Sequence, residues 1–363
     1  MRNTFGGTVT VTLFGESHGE AIGAVIDGLP GGISVKREYI ERKLALRRPS
    51  GKISTSRVEA DEFKILSGVY QDFTTGTPIA IIIENTNKKS SDYEAMKDTP
   101  RPSHADYSAQ VRYGGYQDKR GGGHFSGRVT AALVAAGAIL QSALEDKGIK
   151  IGTHIKELHG VLDREFDNYA YDLNTLEDKL FPTLSTDAEK NMMAEIEKAA
   201  KEGDSVGGVL ESAVIGMPAG VGEPWFDTLE GVLSHALFSV PGVKGVEFGS
   251  GFELANMYGS EANDPFWTDG KRIYTLSNNN GGINGGISNG MPIIFSTAVK
   301  PTPSIFKEQQ TVNLAAMENT TLTVKGRHDP AIIHRARAVV DAVTAIALCD
   351  MLAARFGTDY LKG

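Results

Sequence analysis

Hydrophobic and polar positions along the chain predict short strands alternating with longer helices. Runs of β-branched and aromatic residues predict strands at 8–14, 63–66, 78–83, 207–215, 245–248 and 292–299. Apolar positions at helical spacing predict helices at 36–46, 127–146, 188–202, 229–238 and 330–355. The polar stretch 163–186 predicts an irregular surface excursion. This mixture of elements predicts an α+β fold.

Two segments of the chain, residues 15–33 and 203–221, match each other without a gap. Six identities carry the match, namely Gly15/Gly203, Ser17/Ser205, Gly19/Gly207, Gly28/Gly216, Pro30/Pro218 and Gly32/Gly220. This internal match favours a single domain over 1–363. It also favours a pseudo-twofold internal duplication whose halves are roughly 1–150 and 203–360. Chance similarity between glycine-rich turns is the alternative. Because His18 faces Val206 in this register, the proton chemistry is expected in the first half.

Composition and charge narrow the function classes. The formal net charge of −8 argues against a nucleic-acid binder, since such proteins carry basic surfaces. Local basic clusters, such as Arg47, Arg48 and Lys52, suit a small polyanion held in a pocket, although solvated surface charges are the plainer alternative. The chain has one cysteine, Cys349, which favours a reducing cytoplasm. The longest apolar run, 131–140, has about half the length that a membrane-spanning helix needs. The first residues of the sequence lack the apolar stretch of a secretory signal peptide.

Three clusters combine histidine or aspartate with a backbone breaker. They are Gly15-Glu16-Ser17-His18-Gly19 after a predicted strand, Arg101-Pro102-Ser103-His104-Ala105-Asp106, and Arg327-His328-Asp329-Pro330 before the last helix. Each groups proton-handling side chains at a turn. An ordinary turn or, for Asp329, a helix N-cap is the simpler interpretation of any one alone.

The segment 120–128, Arg-Gly-Gly-Gly-His-Phe-Ser-Gly-Arg, leads into a long helix and predicts an anion site. It lacks the Lys-Ser/Thr of a P-loop, which counts against a sugar-phosphate kinase. No dinucleotide fingerprint and no metal motif occurs in the sequence. A non-catalytic flavin- or anion-binding protein remains the other class, and it would need no histidine–aspartate set beside the arginines.

These motifs together resemble the chorismate synthase family nearly end to end. The resemblance rests on Gly15–Gly19, Arg47-Arg48-Pro49, 101–128, 281–286, 300–304 and 326–330. It implies a β-α-β sandwich, with helices packed between antiparallel sheets, that assembles into a homotetramer. It also implies the anti 1,4-elimination of phosphate from 5-enolpyruvylshikimate 3-phosphate, which gives chorismate and requires reduced FMN (FMNH2).

The resemblance assigns roles to individual residues. His18 would protonate or hydrogen-bond the leaving phosphate, His104 would lie near flavin N1, and Asp329 would accept a proton with Ser17 and Ser126. The expected substrate anchors are Arg47, Arg48, Lys52, Arg128 and Arg335, which suit a phosphate and two carboxylates. The expected FMN-binding residues are His124, Phe125, Ser126, Pro241, Gly242, Gly285, Lys300, Pro301, Thr302, Pro303, Ser304 and Arg327.

The chain departs from the family pattern at two places. His124-Phe125 stands where the family usually has Arg-Ser, which predicts a weaker or pH-dependent FMN contact. Lys52 stands roughly where the family often has arginine. No additional nucleotide-binding domain is visible in the sequence. This favours reduction of the FMN by an external flavin reductase, and reduction by the chain itself with NADPH stays open as the alternative. The polar loops 50–55 and 88–98 are candidate lids.

Overall fold

The computed structural model describes residues 3–49, 53, 60–86, 98–324 and 328–363. The described α-helices are α1 (Arg37–Arg47), α2 (Asp106–Arg112), α3 (Thr130–Asp146), α4 (Tyr169–Leu176), α5 (Thr186–Lys201), α6 (Leu229–Phe238), α7 (Gly259–Ala262) and α8 (Ile333–Phe356). Short 3₁₀ turns lie at Arg120–Phe125, Gly127–Val129, Trp225–Asp227, Gly251–Asn256 and Thr358–Leu361.

The described strands are short and mostly antiparallel partners of their sequence neighbours. The first half has β1 (Thr4–Phe5), β2 (Thr10–Gly15), β3 (Ala21–Asp27), β4 (Gly31–Ser34), β5 (Phe63–Ser67), β6 (Val69–Tyr70), β7 (Phe73–Thr75) and β8 (Ile79–Glu84). The remainder has β9 (Lys150–Leu158), β10 (Val161–Leu162), β11 (Gly208–Ile215), β12 (Val243–Phe248), β13 (Phe266–Thr268), β14 (Ile273–Thr275), β15 (Ile283–Asn284), β16 (Ile287–Ser288), β17 (Ile293–Val299), β18 (Gln309–Asn313) and β19 (Glu318–Leu322).

Two five-stranded antiparallel sheets form the frame. Their strand orders are β1-β2-β3-β8-β5 and β10-β9-β11-β17-β12. The strands of the sequence match, β3 and β11, lie at the centre of their sheets. Each is followed by a glycine with positive φ, 85° at Gly28 and 83° at Gly216. The interpretation of this correspondence as an internal duplication of one domain stays a prediction.

The core lies between the sheets. Helix α3 packs on β3 and β8 of the first sheet, α8 packs on β9 and β11 of the second, and the two helices pack against each other. They cross closely at Gly137, where a Cβ atom would lie 2.5 Å from the Cβ of Ala342. The layers are therefore sheet, helices, sheet, and the predicted α+β class with helices between antiparallel sheets is confirmed.

Some predicted elements differ from the observed ones. The strands β3 and β9 were missing from the pattern-based prediction, since β3 is glycine-interrupted and β9 reads Lys-Ile-Gly-Thr-His-Ile-Lys-Glu-Leu, with polar residues on both faces. The stretch 163–186 was wrongly predicted to be irregular, because Asn168 caps a two-turn helix, α4, within it. The last helix begins at Ile333 rather than at Pro330.

One helical segment, 127–146, has the length and apolar character to cross a membrane. It is 94% buried inside the protein, which is typical of a core helix.

Candidate active site

The turn between β2 and β3 places Ser17 and His18 in the interior. Ser17 is 1% exposed and His18 is 4% exposed. The Ser17 Oγ lies 3.1 Å from His18 Nδ1 and donates to the carbonyl of Arg120 at 3.3 Å. The hydroxyl therefore links the imidazole to the glycine-rich segment 120–128.

The glycine-rich segment closes over this turn. Its three glycines, Gly121, Gly122 and Gly123, all have positive φ (65°, 99° and 54°), a conformation that glycine adopts without a steric penalty. A Cβ on Gly121 would lie 2.0 Å from His18 Cε1. The Gly123 carbonyl accepts from the Ser17 N–H at 3.1 Å, so the loop is fastened to the residue that precedes His18.

His124 also joins the glycine-rich segment to the end of β2. Its Nδ1 lies 2.7 Å from the carbonyl of Gly15, the last residue of β2. Phe125 is half-exposed and meets the Tyr113 ring edge-on, while Ser126 Oγ accepts from the N–H of Arg128 and caps the turn before α3.

His104 lies on the opposite side of the glycine loop. Its Nδ1 is 2.6 Å from Asp106 Oδ1, and Arg101 binds the same carboxylate through Nε and Nη2, each at 2.8 Å. Burial opposes the charge on Asp106, but the hydrogen bonds from Arg101 and His104 outweigh it and hold the pKa of that carboxyl well below its usual range. Because Asp106 engages Nδ1, the Nε2 of His104 is left to face Gly122.

His104, Gly122 and Phe125 line an open cleft. Its empty volume is about 580 Å³, and its walls come from α2, the loop 117–125 and the 98–101 segment, with Leu314 of the β18–β19 hairpin at the edge. The Thr311 hydroxyl of that hairpin donates to the carbonyl of Pro100 at 2.6 Å, which fixes the hairpin beside the cleft.

The arginines that were predicted as anchors converge on a carboxylate that was not predicted, Asp61. Arg47 Nη1 lies 3.0 Å from Asp61 Oδ2, and Arg128 Nη1 binds Asp61 Oδ1. Arg47, Arg128 and Asp61 are all buried. Arg128 Nε also donates to Asn85 Oδ1 at 2.9 Å, and the Asn85 amide donates to the carbonyls of Glu16 and Gly19, which connects the arginines to the His18 turn.

Arg48 differs from its neighbours because its side chain is 34% exposed. Its Nε is buried and has no hydrogen-bond partner among the described residues, while its Nη2 donates to the Ala60 carbonyl. Arg48 therefore keeps donor capacity at the edge of the site.

The segment before α8 joins the same network. Arg335 Nη1 lies 2.6 Å from Asp329 Oδ2, and Arg335 Nε donates to the carbonyl of Arg47 at 2.8 Å. Asp329 is thus held as an ion-pair partner of Arg335, and the helix N-cap position belongs to Ile332.

The segment that leaves β17 lies beside His104. The N–H of Lys300 donates to the Gly242 carbonyl at 2.9 Å, and the Lys300 ammonium donates to the Ser103 carbonyl. Burial and the nearby Lys244 lower the pKa of Lys300. The Thr302 hydroxyl oxygen is buried without a hydrogen-bond partner in the described part of the chain, so the 300–304 segment has an unsatisfied polar group available to a cofactor.

Not every predicted residue reaches this region. Gly285 lies in the β15–β16 turn near the start of β17, whereas Lys300 follows the end of that strand; seven strand residues span about 20 Å. Lys52 and Arg327 lie outside the described residues, as do most of the predicted lid loops 50–55 and 88–98. Over the ranges that the structure describes, no cluster of histidine, cysteine or carboxylate side chains could hold a metal ion.

Sequence reasoning missed Asp61 and Asn85. One physical argument could have indicated a partner for the two arginines, because buried arginines require a carboxylate. The residue pattern of the sequence does not show which carboxylate this is. Both residues lie just outside strands, Asp61 before β5 and Asn85 after β8. In the sequence each of them is one polar loop residue among others.

The fold and the cleft define an α+β protein with histidines, arginines and a glycine-rich loop at one site, as an enzyme for a small anionic substrate would have. The sequence profile of the family "Chorismate synthase" matches residues 9–353. The chorismate synthases of Dehalococcoides mccartyi and Thermococcus kodakarensis are similar to this chain, at 47% identity over 97% of it and 96% of the relative, and 45% over 96% and 97%. A crystal structure of a chorismate synthase superposes with a TM-score of 0.76 at 29% identity, covering 97% of this chain and 94% of the other.

The chain belongs to the chorismate synthase family. Its activity is that of a carbon–oxygen lyase of the shikimate pathway, which eliminates phosphate from 5-enolpyruvylshikimate 3-phosphate to give chorismate. The family requires reduced flavin. The kinase and the non-catalytic binding protein considered from the sequence are therefore set aside.

Proposed function

We propose that the elimination takes place beside the glycine loop 121–123, in the cleft that His104 lines and with His18 on the other side of the loop. The observation that carries this proposal is their placement on the two sides of one glycine loop, with Gly121 against His18 and Gly122 against His104. Two imidazoles within one small site offer separate proton-handling groups for a reaction that removes both phosphate and a ring hydrogen.

His18 is the proposed partner of the leaving phosphate. As an imidazolium it would neutralise charge that develops on the departing oxygen. Ser17 Oγ, 3.1 Å from His18 Nδ1, orients the ring, and Gly121 leaves room for it.

The cationic anchors divide into two groups. Arg48 and Arg335 retain exposed donor surface and are proposed to bind the substrate's phosphate and carboxylates, together with Lys52. Arg47 and Arg128 are proposed to contribute positive potential from behind, because Asp61 already holds both guanidinium groups.

The residues around the cleft fit FMN. Thr302 has an unsatisfied buried hydroxyl, and Lys300 supplies a cation beside it. Together with His124, Phe125, Ser126, Pro241, Gly242, Pro301, Pro303, Ser304 and Arg327 they are the proposed FMN-binding residues. When bound, reduced FMN supplies transient electron density that assists cleavage of the substrate's C–O bond.

The remaining proposed roles belong to side chains around that cofactor. His104, oriented by Asp106, would present its Nε2 to the flavin. Asp329, fixed by Arg335, would take up the released proton with the help of Ser17 and Ser126. The predicted FMN contact of Gly285, which lies near the other end of β17, stays a prediction.

Anaerobic turnover of 5-enolpyruvylshikimate 3-phosphate with chemically reduced FMN tests the site. Phosphate release and chorismate absorbance should rise in equal amounts, and His18→Gln should lose at least about 100-fold in turnover while it still binds FMN. The matched control is His235→Gln, which replaces an exposed histidine and should keep wild-type turnover. Full activity of His18→Gln would contradict the assignment of His18.

A second arm of the assay concerns the source of reduced flavin. We propose that an external flavin reductase supplies it, so oxidised FMN with NADPH should give no chorismate. Turnover under those conditions would show instead that the chain reduces its own flavin.

A homotetramer in the cytoplasm is the proposed assembly and location. Exposed aromatic side chains are concentrated between 225 and 276, including Trp225, Phe226, Phe252, Tyr258 and Phe266, as expected of a surface that another subunit covers. Light scattering after size exclusion should give a mass about four times 38.9 kDa. A monomeric mass would contradict the tetramer.

A further inference from the structure

A second cleft lies away from the histidines, at the opposite end of α3. Its empty volume is about 440 Å³. It opens between the C-terminal end of α3, the start of β9, α4 and the facing turns of α1 and α8. Its walls carry three cationic side chains, Lys43, Lys150 and Arg337, and two carboxylates, Glu145 and Glu177.

Arg337 is the most deeply buried of them. It is 1% exposed, and its Nη2 donates to the carbonyls of Leu176 at 2.7 Å and Lys179 at 3.0 Å. Its Nε is buried without a hydrogen-bond partner among the described residues. A buried guanidinium N–H without an acceptor is costly, so this atom calls for a ligand.

Lys43 contributes a second buried cation to the cleft. It is 5% exposed, and its ammonium lies 5.0 Å from the centre of the Tyr39 ring. Burial lowers the pKa of Lys43, with the charge of Asp341 acting in the opposite direction.

The carboxylates near this cleft are engaged elsewhere. Glu145 accepts from the Tyr39 hydroxyl at 2.6 Å, and Glu177 lies 2.6 Å from Arg42 Nη1. Asp341 accepts from the Thr153 hydroxyl at 2.6 Å and lies 3.4 Å from Arg337 Nη1. None of them reaches the Lys43 ammonium or the Arg337 Nε within hydrogen-bond distance.

We propose that this cleft binds a tetrahedral oxyanion, a phosphate group, between Lys43 and Arg337, with Lys150 at the entrance, where its ammonium also donates to Asn174 Oδ1 at 3.1 Å. N–H donors from three different elements converge there, which suits an acceptor with several oxygens. The anion supplies the acceptor that the buried Arg337 Nε lacks, and Lys43 adds a second positive charge beside it. The site is separate from the cleft that His104 lines and does not depend on the catalytic proposal.

Equilibrium dialysis with labelled inorganic phosphate measures the stoichiometry. Lys43→Met, which keeps the length and removes the charge, should bind one phosphate fewer per chain than wild type. The control Lys198→Met removes an exposed lysine from α5 and should bind as wild type does. Equal stoichiometry in all three proteins would overturn the proposal.

Crystals of the wild-type protein soaked in selenate locate the ion without any substitution. An anomalous peak within hydrogen-bond reach of Lys43 Nζ and Arg337 Nε supports the site, and its absence there overturns the proposal even if Lys43→Met fails to fold. Competition with glycerol 3-phosphate separates the sources of the ligand. Displacement of phosphate identifies an organic phosphate, and no displacement identifies the free ion; either result supports a phosphate-group site.

Discussion

At the scale of single residues, the cationic side of the active site depends on one carboxylate. Asp61 lies between Arg47 and Arg128, is itself buried, and adopts a positive φ of 51°. Buried guanidinium groups are tolerated when a paired carboxylate and further acceptors compensate for lost water. Arg47 has those acceptors in Thr130 Oγ1 and the Gly127 carbonyl.

The substitution Asp61→Asn should lower the free energy of unfolding by about 3–5 kcal/mol, because it leaves two buried cations without their counter-charge. Urea denaturation followed by circular dichroism measures the change. The neighbouring exposed carboxylate gives the control, Glu62→Gln, which should change stability by less than about 0.5 kcal/mol. Similar values for the two variants would show that Asp61 does not stabilise the arginine cluster.

At the scale of elements, the glycine loop 121–123 sets the distance between the β2–β3 turn, which carries His18, and the segment before α2, which carries His104. Its backbone separates His18 from His104 with no side chain between them. The left-handed backbone angles and the close approach both require glycine.

Gly121→Ala should reduce turnover by 10-fold or more, since its methyl group would overlap the His18 ring and displace the imidazole by a distance that matters for proton transfer. Steady-state kinetics with reduced FMN measures this. Gly127→Ala is the control in the same segment, because its Cβ has no neighbour within 4 Å. Unchanged turnover in Gly121→Ala would mean that the loop shifts freely.

The crossing of α3 and α8 is the second element-level constraint. Gly137→Ala gains helix propensity of about 1 kcal/mol but forces two Cβ atoms to 2.5 Å, and overpacking costs roughly 1–3 kcal/mol. We expect a net loss of roughly 1 kcal/mol in chemical denaturation. The double variant Gly137→Ala/Ala342→Gly should be less destabilised than the sum of the two single variants, and strict additivity would argue against a clash.

At the scale of the whole molecule, stability depends on a charged cluster on the second sheet. His154 is fully buried between Asp163 (Nδ1 to Oδ2, 3.0 Å) and Glu211 (Nε2 to Oε2, 3.2 Å). Burial opposes its charge, but the hydrogen bonds to the two carboxylates outweigh burial and raise the pKa of the imidazole. Because both ring nitrogens face carboxylates, the ring is held as imidazolium.

A raised pKa in the folded state gives a defined pH dependence. The charged His154 stabilises the fold fully below the unfolded-state pKa of about 6.5, and this contribution falls as pH rises through the folded-state pKa. The stability difference between wild type and His154→Gln should therefore shrink above pH 6.5 in denaturation series. His235→Gln should show a small difference at every pH, and a pH-independent difference for His154→Gln would contradict the assignment.

A strand or helix was predictable when its own segment of the sequence carried the whole pattern. Strands with continuous β-branched runs, such as β8 and β17, and long apolar helices such as α3 and α8 were predicted because one element carries its own pattern. The strand β9 was missed because its outer face holds His154 and Lys156, which pair with Glu211 of the adjacent strand. Its polar positions make sense only once β11 is in place.

The site divides along the same line. Ser17, His18, His104, Arg128 and Asp329 were predicted as site residues from local motifs, because proton-handling groups and glycines occur there as contiguous runs. Their mutual positions, the pairing of arginines on Asp61 and the distance of Gly285 from Lys300 were not predictable, since those contacts join residues far apart in the chain.

The sequence by itself determined the family and the α+β class, because these depend on residue type and spacing within short segments. Only the tertiary structure decided which charges are neutralised and which donors remain unsatisfied. Burial and the distance between side chains set those energies, and both arise when the sheets and helices pack together. The two cations Lys43 and Arg337 lie on different helices, and no local pattern in either helix indicates the cleft that they share.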